Sequence, residues 1–245
     1  MTTPAHPPIA PPRLAATIIL CRPREHSFEV LFVKRHGNSG FMGGAHVFPG
    51  GRVEDTDSGV PLDVAARVLP ELPPELAARV VAGAVRETQE EAGLDVDPAS
   101  LALWAHWITP EQEPKRFDTW FFLAEAPAHA VVKIDEHEAV EHAWHSPRAA
   151  LAAQKRAELV LMPPTLATME DLAAFHSMQE AAASVRHPVP AIQPHLIVGD
   201  QIILALPGDP LHHEGPGTRK PARIEQLDLH HAGRPRWRML VTRGW

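Results

Sequence analysis

Apolar positions recur along this chain with two different periods. Residues 14–21 (LAATIILC) and 28–33 (FEVLFV) are short, β-branched apolar runs separated by a polar stretch at 22–27, which predicts two paired strands. Residues 37–51 carry six glycines and one proline around Ala45-His46-Val47-Phe48, so a brief strand is expected between glycine-rich turns. After a polar, proline-containing insertion at 54–71 the period changes. Pro73-Pro74 stand before a helical pattern over 75–92, with apolar or small residues at Leu76, Val80, Ala84 and Thr88 flanked by Ala77, Val81 and Val85, and Gly93 marks its stop.

Beyond that helix, residues 101–108 and 119–124 read as strands, and 135–141 as an acidic loop ahead of Ala143-Trp144. Ser146-Pro147 opens a second helix, and Met162-Pro163-Pro164-Thr165 a third that is expected to run to about Ala183. The composition then shifts towards proline and histidine, with two short strands predicted at 193–198 and 201–206. The organisation expected from this pattern is a proline-rich arm at 1–12, a main α/β domain at 13–160 with an insertion at about 55–74, and a C-terminal extension of helix and short strands at 161–245. No internal repeat is evident.

Composition narrows the classes. Hydrophobic residues at 44% and charged residues at 22% can form a core, which argues against wholesale disorder, collagen and coiled coil. The single cysteine, Cys21, excludes an intrachain disulfide and any cysteine-based zinc cluster, and its apolar strand suggests burial. A formal charge of −7 disfavours nonspecific binding to nucleic acid or to an anionic membrane. No stretch is apolar enough for long enough to span a bilayer, and the expected location is the cytoplasm. The segment 219–245 carries seven Lys or Arg against Glu225 and Asp228; an intramolecular counter to the acidic remainder is its plainest use.

The chemistry concentrates in Arg86-Glu87-Thr88-Gln89-Glu90-Glu91-Ala92-Gly93-Leu94. At about 100° per residue, Glu87, Glu90 and Glu91 fall within roughly one 100° sector of the helix. Like charges at this spacing repel, and the last turns of a helix disfavour negative charge. An acidic helix end facing water is the bland alternative, but such a face would interleave lysines, and only Gln89 is near. A bound hard cation relieves the repulsion, because Mg²⁺ takes oxygen ligands from a few carboxylates and keeps its other positions for water and phosphate. Arg86, four residues before Glu90, can pair with it.

In these residues, and in Phe48-Pro49-Gly50-Gly51-Arg52-Val53-Glu54, the chain resembles the Nudix hydrolase family. The family signature is a glycine, five residues, a glutamate, seven residues, then Arg-Glu-apolar-x-Glu-Glu-x-Gly-apolar. Its second half stands at 86–94 with Thr88 in an apolar position. Gly51 and Arg86 are 35 positions apart where the signature has 14, and six positions after Gly51 stands Asp57 in place of glutamate. The resemblance implies an α/β fold, a Nudix α/β/α sandwich with a mixed sheet, plus the C-terminal extension. It implies Mg²⁺ or Mn²⁺ held by Glu87, Glu90 and Glu91 with the Gly50 carbonyl, and hydrolysis of a diphosphate linkage in which Glu90, Glu91 and Arg86 take part. It also implies a general base outside the helix, for which Glu138 and Glu141 are the candidates; a solvated loop acid is the plain alternative for each.

Arg35 and Arg116, at strand ends, are candidate phosphate clamps, with strand-end salt bridging as the alternative. Four further segments, residues 43–51, 107–110, 116–122 and 162–165, are similar to a Nudix subgroup associated with cleavage of coenzyme A and acyl-CoA. The implied partner is a small-molecule nucleotide diphosphate, with CoA ahead of NADH, ADP-ribose or a nucleotide sugar, and with room for a homodimer. The rival class is a Nudix-fold regulator that senses a nucleotide without cleaving it. The run His137-Glu138-Ala139-Val140-Glu141-His142 invites a zinc-protease reading, but its histidines stand five apart, roughly 140° around a helix, and cannot chelate together there.

Overall fold

The computed structural model describes residues 9–36, 43–134, 139–212, 222–228 and 236–241. In chain order these form β1 (Arg13–Arg24), β2 (Ser27–Arg35), β3 (His46–Val47), β4 (Gly50–Arg52), α1 (Leu62–Val68), α2 (Pro74–Ala92), β5 (Ala102–Ile108), β6 (Phe117–Glu125), β7 (Ala139–His145), α3 (Pro147–Lys155), α4 (Pro163–Leu172), α5 (Met178–Ser184), β8 (Ala191–Ile192), β9 (His195–Val198), β10 (Ile202–Ala205), β11 (Ala222–Asp228) and β12 (Arg236–Val241). The main sheet is mixed. β1 runs parallel to β6 over Arg13 to Cys21, β5 is antiparallel to β6 and parallel to β8, and β7 is antiparallel to β2. The last four strands form a separate antiparallel sheet in the order β12-β11-β10-β9.

Alternation in β1 divides the core. Ala16, Ile18 and Leu20 point to one face, where α1 and α2 pack with Val80, Val81, Ala84, Val68 and Leu69. Ile19 and Cys21 point to the other face, against α3, α4 and the second sheet with Leu166, Met169, Leu172 and Ile224. A strand buried on both faces reads as a continuous apolar run, which is why residues 14–21 show no polar alternation. Helices on one face, and helices with a second sheet on the other, make the α/β/α sandwich. No helix among the described residues is long and apolar enough to cross a membrane.

β1 and β2 pair only near their hairpin turn, Cys21 to Arg24 with Ser27 to Val30. Beyond it they diverge, and the segment 46–52 enters between them, pairing through β3 with Val33 and Lys34 and through β4 with Ala15 to Thr17. That wedge places Pro49-Gly50-Gly51 under the C-terminal half of α2.

The structure corrects or fills in several expectations. The stretch 54–71 contains α1, whose Ala65 and Val68, with Leu69 after it, are buried against α2; the apolar pairs Val64/Ala65 and Val68/Leu69 carry a helical spacing inside an otherwise polar segment. The third helix ends at Leu172 and a new one begins at Met178, because Ser177 Oγ caps the amide of Glu180 and Glu180 accepts from the amide of His176; the Ser177-x-x-Glu180 spacing is a capping signal already present in the sequence. Glu141 lies on strand β7 and not in a loop. The tail adds β11 and β12 to the two strands expected, and β8 joins the edge of the main sheet. Most of the proline-rich arm and most of the acidic stretch 135–141, including Glu138, lie outside the described residues.

Candidate active site

Helix α2 brings the acidic cluster to the loop. Pro74 in its first turn needs no amide partner, and Gly93 closes it in the left-handed conformation (φ +65°) with its N–H on the Gln89 carbonyl. Between these stops the helix buries small residues, Ala77, Ala78 and Ala84, which let it lie close to the sheet. Thr88, in the apolar position of the motif, is fully buried and turns its hydroxyl back to the Ala84 carbonyl at 2.8 Å, so it meets the core as a methyl group.

The three carboxylates stand in different settings. Glu91 is only 5% exposed, and its Oε2 accepts the Gly50 N–H at 3.0 Å. Glu87 is largely buried over Gly51: a Cβ built at Gly51 would lie 2.5–2.7 Å from its carboxyl atoms. Glu90 is half exposed at the rim. A Cβ at Gly50 would fall 2.5 Å from the Ala16 carbonyl oxygen and from Thr17 Cα, so the loop has glycines where β1 and a carboxylate crowd it.

Arg86 ties the cluster together. Its Nε donates to Asp57 Oδ1 at 2.7 Å and its Nη2 to Asp57 Oδ2 at 3.2 Å and to the Arg52 carbonyl at 2.9 Å. Its Nη1 donates to Glu87 Oε1 at 3.0 Å and to Glu90 Oε2 at 2.8 Å. The expected pairing with Glu90 is present, and two more carboxylates share the same guanidinium. Asp57 is buried, its Oδ2 also accepts the Glu54 N–H at 2.7 Å, and Gly83 leaves room for it, since a Cβ there would lie 2.8 Å from Oδ2. Burial alone pushes the Asp57 carboxyl up, but the hydrogen bonds from Arg86 and the Glu54 N–H, with the charges of Arg86 and Arg79, hold it below the ordinary value. Hydrogen bonding to Asp57, against a smaller cost of burial and with help from Glu87, raises the Arg86 pKa and keeps that charge fixed. Asp57, six positions after Gly51, is therefore the main partner of Arg86, and the residues between the two fold as α1 and the first turns of α2.

The other candidates are placed as follows. Glu141 stands opposite Lys34 in the β2–β7 register and accepts from its Nζ at 2.9 Å, which holds its carboxyl below the ordinary range. Arg35 ends β2, with its backbone N–H on the Ala45 carbonyl, and its buried Nε has no hydrogen-bond partner among the described residues. Arg116 is buried and spends its donors on the carbonyls of Thr109 and Ala10, 3.1 and 2.9 Å away, a structural use that pins the start of β1 to the start of β6. Sequence reasoning left Asp57 without a role and did not single out Thr17, whose hydroxyl donates to the Pro49 carbonyl at 2.6 Å.

The donor set fits a hard divalent cation. Two carboxylates face a loop without side chains, Glu91 fixed by a backbone amide and Glu87 resting in the space a Cβ would fill, and Glu90 stands beside them at the rim. Among the described residues no three acidic, histidine or cysteine side chains already form a metal cage; Arg86 and the Gly50 N–H hold the carboxylates instead. Gly51→Ala displaces Glu87 but meets only a side-chain end, so cation affinity is expected to fall about 10–100-fold while the fold loses at most about 1–2 kcal/mol. Mn²⁺ titration and urea unfolding check both parts; unchanged affinity would remove Glu87 from the ligand set.

Comparison with known proteins agrees with this geometry. The NUDIX domain family model matches residues 11–162. The chain is 27% identical to the Gallus gallus protein named acyl-coenzyme A diphosphatase NUDT19, over 77% of this chain and 74% of that protein. It is also 27% identical to the Homo sapiens protein of the same name, over 78% and 74%. Among solved structures, a NUDIX hydrolase from Alicyclobacillus acidocaldarius superposes with a TM-score of 0.62 at 24% identity, covering 73% of this chain and 98% of that one. A domain match spanning more than half the chain, the acidic helix end over its glycine loop and the shared fold lead to one assignment: this chain belongs to the Nudix family of diphosphate hydrolases.

Proposed function

We propose that the protein is a divalent-metal-dependent pyrophosphohydrolase that cleaves the diphosphate of coenzyme A or an acyl-CoA. The observation that carries the metal-dependent chemistry is the meeting of Glu87 and Glu91 with the Gly50-Gly51 loop, Glu91 fixed by the Gly50 N–H, while Arg86 ties Glu90 to Glu87 at the rim. The CoA assignment is supported by the relatives named acyl-coenzyme A diphosphatase, which align over about three quarters of their length.

In this reading Glu87, Glu90 and Glu91 hold Mg²⁺ or Mn²⁺, with the Gly50 carbonyl beside them. When bound, the cation neutralises phosphate charge and acidifies the attacking water. The protein's own groups orient and exchange protons. Arg86 keeps Glu87 and Glu90 from splaying and is a positioning residue. Arg35, at the end of β2, takes a phosphate oxygen of the substrate. The water's proton goes to a glutamate outside α2. Glu138 is assigned that role ahead of Glu141, whose pairing with Lys34 moves its pKa away from the neutral range a general base needs.

Phosphate release after phosphatase coupling tests the reading. CoA, acetyl-CoA, NADH, ADP-ribose, a dinucleoside polyphosphate and a UDP-sugar are compared with and without Mg²⁺ or Mn²⁺. Metal-dependent cleavage of the CoA compounds alone is the expected result. Cleavage of another compound instead keeps the enzyme and overturns the substrate; silence with both metals favours the sensing regulator.

A further inference from the structure

The Pro49–Gly50 peptide is held from both ends. Its carbonyl, on Pro49, accepts the Thr17 hydroxyl at 2.6 Å and the Ile18 N–H at 3.0 Å. Its N–H, on Gly50, donates to Glu91 Oε2 at 3.0 Å. One planar group thus links the buried centre of β1 to the most buried carboxylate of the acidic cluster. Because the peptide is rigid, fixing its C=O and its N–H fixes its plane. That plane sets where Glu91 hangs and is the anchor from which the Gly50 carbonyl, two backbone torsions further on, takes its direction. Hydrogen bonds in a chain also polarise one another, so a carbonyl accepting two donors makes its own N–H a stronger donor to Glu91.

We propose that Thr17 is a positioning residue for the metal-binding carboxylate: its hydroxyl, acting through the Pro49–Gly50 peptide, presets Glu91 and the Gly50 carbonyl for the cation. The proposal rests on the metal-dependent reading above. Thr17 is 7% exposed and lies opposite Gly50 in the β1–β4 register. The crowding at Gly50, where a Cβ would sit 2.5 Å from Thr17 Cα and Cβ, leaves the loop little room to shift along the strand. The hydroxyl is not needed to satisfy the carbonyl, because Ile18 N–H already does so. Its removal therefore loosens orientation more than it costs stability.

The test uses Thr17→Val, which keeps the shape and removes the hydroxyl, beside Thr17→Ser, which keeps the hydroxyl. Mn²⁺ affinity is read by electron paramagnetic resonance or calorimetry without substrate, and thermal unfolding is followed in parallel. Thr17→Val is expected to weaken Mn²⁺ binding about 10–100-fold, the range for groups that orient metal ligands, with the midpoint of unfolding nearly unchanged. Thr17→Ser is expected to recover most of the affinity. Equal affinity in wild type and Thr17→Val overturns the proposal and leaves the metal reading standing. Affinity lost in parallel with unfolding temperature in both variants also overturns it, since the role is then only structural. A wild-type protein that takes up no cation overturns the metal reading itself, and the proposal with it.

Discussion

Glu91→Gln is expected to lower kcat by about a thousandfold, equivalent to about 4 kcal/mol of lost transition-state stabilisation, with the folded structure kept. Glu91 is buried and its Oε2 takes the Gly50 N–H. Glutamine matches it in shape, and its one carbonyl oxygen can accept that same hydrogen bond. The amide nitrogen must then occupy the other carboxylate position, where it donates and cannot ligate a cation. The substitution thus separates the structural half of the side chain from its chemical half. Single-turnover kinetics with the substrate found in the panel, together with unfolding curves, measure the two halves. Turnover within about threefold of wild type would remove Glu91 from the metal site. The same variant bears on the sensing alternative: a regulator that binds without cleaving would bind its nucleotide and show no turnover to lose.

Asp57→Asn is expected to destabilise the protein by about 2–4 kcal/mol at neutral pH, because it leaves a partly buried guanidinium without its main counter-charge. Both Asp57 oxygens accept hydrogen bonds, from Arg86 and from the Glu54 N–H. Asparagine offers one acceptor and places an NH₂ against one of those donors whichever way it turns. The pH dependence has a definite sign. The Asp57 carboxyl is held below its ordinary value in the folded state, so its contribution is present above the unfolded value of about 3.9 and is lost as pH falls through the folded one. The gap between wild type and Asp57→Asn, measured by urea unfolding, should therefore be full at pH 6–7 and narrow below about pH 4. A gap that stays constant down to pH 3 would mean that the Asp57 charge is not what Arg86 needs.

What could be read from the chain alone was local. The apolar runs of β1 and β2, the helix from the prolines to Gly93 and the clustering of three glutamates all follow from the 2.0 and 3.6 residue periods, which report a face without reference to any partner. The acidic helix end was legible because mutual repulsion at fixed helical spacing is a property of the helix itself. Misses arose where a weak local signal was outweighed by composition. Residues 62–69 carry helical spacing inside a polar, proline-bearing stretch, and Ser177-x-x-Glu180 carries a capping signal inside an alanine-rich one.

Other features were decided only when distant segments met. The parallel pairing of β1 with β6 and the wedge of residues 46–52 between β1 and β2 depend on register and on which faces can be buried together, and no window of sequence contains both partners. Tertiary structure also made Asp57 the partner of Arg86 across α1, turned Glu141 to Lys34, and set the Thr17 hydroxyl on the peptide that holds Glu91. Sequence determined which groups this protein could offer a diphosphate. The fold decided which of them stand together, because hydrogen bonds and ion pairs act over a few ångströms of space, whatever their separation along the chain.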